Sequence, residues 1–66
     1  MNHLSVYKKK YNLYQKILVI DSYLDIPTNS DAIFTLLGWF QAEKDELVRI
    51  ELFHTITILL VNLLKS

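Results

Sequence analysis

The stretch Glu51-Leu-Phe-His54 sets a carboxylate and an imidazole three residues apart. On a helix that spacing puts both groups on one face. Di-iron helical bundles use such a pair on each of two helices, with a further Glu from each of two others. A homodimer of this chain would supply two pairs. The additional glutamates are wanting: Glu43, Glu46 and Glu51 all lie in the second half, and the first helical segment offers only Asp21 and Asp25. The pair therefore reads as the solvated strip of an amphipathic helix. No metal and no cofactor are expected.

Nucleophilic catalysis requires a nucleophile, a base and a group that orients the base. Ser5, Ser22 and Ser30 are available, as are His3 and His54, but no local spacing ties them together. A 66-residue helical chain also has little room for a substrate pocket of several hundred Å³. The expectation is a protein that is not an enzyme.

The segment YKKKYNLYQK interleaves Tyr7, Tyr11 and Tyr14 with Lys8, Lys9, Lys10 and Lys16. Aromatic stacking plus cations is how single-stranded nucleic acid is often held. Here the tyrosines recur at helical spacing on the apolar face, and three successive lysines splay around a helix instead of forming a stripe. Seven basic residues balance seven acidic ones, so the clustered positive charge that phosphate binding needs is missing. Nucleic acid is therefore not the favoured partner, and a small nucleic-acid-binding dimer using the first helix stands as a third alternative. A helix-turn-helix centred on Gly38 fares no better. Trp39 and Phe40 follow the glycine directly, and the would-be recognition segment KDELVRIELF is more acidic than basic.

The elements that carry these residues are helical. One proline and one glycine leave little punctuation for turns. From about Leu4 to Leu24, residues Val6, Tyr7, Tyr11, Leu13, Tyr14, Ile17, Leu18, Ile20 and Leu24 fall on one half of a helical wheel. Pro27 forces a boundary near Ile26. Thr28, Asn29 and Ser30 are each competent to cap the next helix, and Asp31 suits its first turn. In that helix Ile33, Leu36, Leu37 and Phe40 share a face. The polar run QAEKDE (41–46) then either breaks the chain, with Asp45 as a new cap, or stays helical, which would make a single element of 31–64. A break is favoured because so long a helix is rare in a small domain.

The third segment, Glu46–Leu64, is apolar around well over half its circumference. On the wheel, Glu51, His54, Thr55, Ile58 and Asn62 form the remaining strip. A helix with one neighbour needs a stripe of only about 100°, so this one asks for neighbours on at least two sides. The predicted fold is all-α: a single domain over 1–66, a helical hairpin or three-helix bundle with helices near 4–25, 30–43 and 45–64.

Size sharpens the functional reading. Chains this short are marginally stable alone. With no cysteine, disulfides are excluded, and self-association is a natural compensation. The expected function is protein–protein interaction by helix-face docking, as a small regulator or inhibitor and a homo-oligomer. The expected interface residues are Trp39, Phe40, Phe53, Ile56, Leu60, Leu63 and Leu64, with His54 and Asn62 fixing register. For Trp39, a partly buried place on the shoulder of the core is an equal alternative to a partner anchor.

Lipid is the runner-up partner. The longest uncharged stretch, Leu52–Leu64, is shorter than the roughly 20 residues of a membrane span. Spanning is therefore not expected, whereas an amphipathic helix lying in the interface is the alternative. The basic run at 8–10 leads into YNLYQK instead of an apolar core, so no secretory signal is read and a cytoplasmic location is expected.

Overall fold

The computed structural model describes residues 11–65, and the expectations for His3, Ser5 and the Lys8–Lys10 run fall outside that range. Three α-helices follow in order: α1 (Leu13–Ser22), α2 (Ser30–Ala42) and α3 (Glu46–Lys65). A short 3₁₀ turn, Tyr23–Asp25, closes α1. No strand occurs among the described residues. The all-α class is thus as predicted.

Among the described residues the first helix starts at Leu13, and Tyr11 and Asn12 before it are not helical. Asn12 is extended, its side chain accepts a hydrogen bond from the Gln15 N–H at 2.9 Å, and Gln15 Oε1 accepts the Asn12 N–H at 3.1 Å. This reciprocal capping box starts the helix at Leu13. A helix running unbroken through 4–24 is corrected accordingly. The signal is local and present in "NLYQ", an amide at the cap followed three residues later by a Gln.

At α2 the cap lies among the expected three residues. Asn29 accepts from the Ala32 N–H at 2.8 Å, and Asp31 stands in the first turn. Replacing Asn29 by Ala is expected to cost about 1 kcal/mol. Thermal melts would read this as a lowered midpoint, and an unmoved midpoint would show that the cap contributes nothing. Gly38 lies in the middle of α2 without a positive φ, so no helix-turn-helix bend occurs there.

Helices α2 and α3 are separate. The chain is extended at Glu43, and Asp45 Oδ1 accepts the N–H groups of Leu47 (3.0 Å) and Val48 (3.3 Å). Asp45 is the N-cap that the sequence offered. Arg49 secures the other side of the break. Its Nη1 donates to the carbonyls of Phe40 (2.7 Å) and Glu43 (3.0 Å), and the guanidinium lies 4.1 Å from the Phe40 ring centroid. A cation at those final carbonyls also suits the negative end of α2. The continuous alternative, a single helix over 31–64, does not hold.

α3 packs against both α1 and α2. Ile20, Ile33, Leu36, Trp39, Val48, Leu52, Ile56 and Leu59 form the buried core. Tyr11, Val19, Tyr23, Phe40 and Leu63 pack partly against it. Leu13, Tyr14, Leu18 and Leu24, expected on the inner face of the first helix, are instead exposed. The inward face of α1 is set by Ile20 and Val19, and by Lys16. The Lys16 Nζ meets Glu43 Oε1 at 2.9 Å, with both side chains largely buried. Glu43 Oε2 also accepts the Asp45 N–H at 3.1 Å. One carboxylate thereby joins α1 to the corner from which α3 departs.

Candidate functional site

α3 offers water a second apolar face. Its inward stripe is Val48, Leu52, Thr55, Ile56 and Leu59, with steps of three or four residues apart from the adjacent Thr55 and Ile56. Away from that stripe, Ile50, Phe53, Leu60, Val61 and Leu64 are exposed, Phe53 by 66% and Leu64 by 84%. Ile50, Phe53, Thr57, Leu60 and Leu64 succeed one another at intervals of three, four, three and four. That is the heptad spacing of a helix seam that packs on another helix. Thr57 is the one polar member, and its hydroxyl is spent locally on the Phe53 carbonyl at 2.8 Å.

The expected interface residues divide. Phe53, Leu60 and Leu64 lie on the exposed face. Phe40 and Leu63 are half-buried at the margin of the core. Trp39 and Ile56 are in the core itself, at 5% and 6% exposure. The Trp39 ring stacks on Tyr23, with centroids 5.7 Å apart and planes 16° from parallel. These two residues are therefore not surface anchors of the folded protomer: the chain's own helices occupy them. His54 and Asn62 are exposed; His54 lies beside this face, whereas Asn62 is seven residues after Thr55, on the line of the inward stripe, and does not flank the seam. Ile50 and Val61, along with Leu47, were not singled out beforehand. The heptad spacing through Ile50 was the signal that could have found them.

The polar strip also needs correction. Thr55 was grouped with Glu51, His54 and Asn62, yet it is fully buried and its Oγ1 has no hydrogen-bond partner. It sits seven residues after Val48 and four before Leu59, so the inward stripe passes through it. A hydroxyl is tolerated there at the cost of desolvation.

A shallow groove of about 250 Å³ lies along the edge of the exposed face, lined by Phe40, Glu46, Arg49, Ile50 and Phe53. Its lining is mostly apolar side chain, with one acid and one base at its rim. Such a recess suits a side chain of a docking helix.

Glu51 stands where α1 meets α3. A hydrogen bond with Asp21 raises its pKa above the ordinary value of 4.5, helped by burial and by the negative charge of Asp21. The charge of His54 acts in the opposite direction. When protonated, Glu51 can donate to the Asp21 carboxylate. Because the folded pKa is the higher one, this contribution is complete below the unfolded pKa and is lost as pH rises through the folded value. Melting points measured upward from pH 4.5 are expected to fall over that window, and Glu51→Gln, whose amide donates at every pH, is expected to flatten the fall. An identical slope in the variant would remove Glu51 as its source.

The remaining candidates for chemistry are occupied or scattered. Ser22 Oγ donates to the Val19 carbonyl at 2.6 Å. Lys16 is engaged with Glu43. Among the described residues, no group of three or more His, Asp or Glu side chains gathers as a metal site would require. By length and composition α3 could cross a membrane: its most apolar 18-residue window has a mean hydropathy of 1.7, with 28% of that window buried within the fold. No protein-family model matches the chain, and no curated protein or solved structure matches it significantly.

Proposed function

We propose that this protein is a non-enzymatic interaction module that binds through the outward face of α3 and associates with itself there, acting on other proteins as a small regulator or inhibitor by helix-face docking. The observation that carries the reading is the run Ile50, Phe53, Thr57, Leu60, Leu64, exposed and at heptad spacing on a helix whose opposite face already packs the core. These side chains and Val61 leave on the order of 600 Å² of apolar surface in water, the upper end of what monomers tolerate without using it. Helix-in-groove recognition has this signature.

Leu60→Asp tests the proposal. It places a charge in the middle of the exposed run while leaving the buried stripe untouched. The variant is expected to keep its helicity by circular dichroism and to lose self-association by sedimentation. The wild type is expected to melt at a temperature that rises with protein concentration. A wild type that remains monomeric at high micromolar concentration, with a concentration-independent midpoint, would exclude self-association.

A lipid surface is the second reading, favoured by the length and hydropathy of α3. Flotation with vesicles separates the two, because it would carry the chain to the lipid fraction only if the face meets lipid.

A further inference from the structure

We infer that two copies of this chain pair antiparallel along α3, Ile50 facing the partner's Leu60 and Phe53 facing the partner's Thr57. The inference rests on the self-association reading and adds to it a direction and a register.

The ends of the helix supply the direction. Asp45 and Glu46 stand at its start and Lys65 at its end, with Glu46 and Lys65 both exposed. In a parallel pair Glu46 would sit beside its own twin, and so would Lys65. In an antiparallel pair of matched length each Glu46 meets the partner's Lys65, and the helix dipoles oppose as well. The charges are complementary only in the second arrangement.

Packing supplies the register. Aligning Ile50 with the partner's Leu60 sets each Phe53 over the partner's Thr57, a large ring against a small side chain, twice by symmetry. It also brings Leu64 level with the aliphatic stem of the partner's Glu46. One flank of the seam is Leu47, His54 and Val61, all exposed. There Leu47 falls beside the partner's Val61, and His54 beside the partner's His54. The other flank is Arg49, Ile56 and Leu63, which the protomer already uses against its own α2 and core. The partner helix therefore enters from the open, Leu47–Val61 side. Covering both faces would remove on the order of 1,200 Å² from water, the lower edge of stable interfaces.

Cysteine linking decides the matter, because the chain contains no cysteine of its own. His54→Cys and Leu60→Cys are each made in the full chain and treated with a short bis-maleimide. Both positions are exposed, so the fold is expected to persist, and circular dichroism checks it. In the antiparallel register the two copies of position 54 are about 3 Å apart along the axis and those of position 60 about 15 Å apart. His54→Cys is expected to link to itself and Leu60→Cys is not. A mixture of Ile50→Cys with Leu60→Cys is expected to give the mixed dimer.

Glu46→Lys and Lys65→Glu are each expected to raise the dimer dissociation constant about five- to tenfold, and the double change to restore it. Self-linking of Leu60→Cys, or a dimer in which His54→Cys fails to link, overturns the antiparallel register while leaving self-association standing. A chain that stays monomeric, or that associates only on vesicles, overturns both.

Discussion

Trp39→Ala is expected to remove most of the stability of this protein. The indole is 5% exposed, stacks on Tyr23 and shares the core with Ile33 and Leu36 from its own helix and with Val48 and Leu52 from α3. Truncating a buried Trp costs about 3–5 kcal/mol, as lost burial plus the cavity that remains. A domain of this length has a total stability of only about 3–10 kcal/mol. Urea unfolding monitored by far-ultraviolet circular dichroism would show the midpoint collapse toward zero denaturant. The same variant separates the two roles that Trp39 could have had. At a protein concentration low enough for the wild type to be monomeric, a partner anchor would leave the unfolding midpoint unchanged and weaken only association, and that outcome would refute its placement in the core.

The second large effect is expected at the corner between α2 and α3. Lys16→Met removes the cation that faces Glu43 and leaves the carboxylate largely buried without it. Breaking a buried pair from one side costs more than the pair contributes, because the remaining carboxylate loses this cation while still largely desolvated. A loss of about 3 kcal/mol is expected. Glu43→Gln is expected to cost less. The Lys16 side chain is 18% exposed against 6% for Glu43, so a released ammonium can turn to water, and the Gln carbonyl still accepts the Asp45 N–H. The double variant is expected to recover part of the Lys16→Met loss, which a double-mutant cycle measures directly. If Lys16→Met left the unfolding midpoint within error of the wild type, the pair would not be holding α1 to the corner.

The two effects differ in how far they could be anticipated. The start of α2 at Asn29 and the fresh start at Asp45 follow from side chains that bond backbone groups two or three residues away. The capping box of Asn12 and Gln15 is equally local, although the apolar stripe that runs across it masks its signal. The Lys16–Glu43 pair lies across 27 residues and could not be anticipated by any spacing rule.

By itself, the sequence determined the all-α class and offered the caps at which α2 and α3 begin, while it favoured the break in the polar run before Glu46 without deciding it. The class and the caps are settled by hydrogen bonds and steric limits within a turn or two of chain, which every copy of the same short segment obeys. Only the tertiary structure decided which face of α3 points inward. That helix is apolar around most of its circumference, so several faces would gain similar free energy from burial, and periodicity alone gave no preference between them. The directions from which α1 and α2 approach broke the tie. They enclosed Val48, Leu52, Thr55 and Ile56, placed Trp39 against Tyr23, and left Ile50, Phe53, Leu60 and Leu64 facing water.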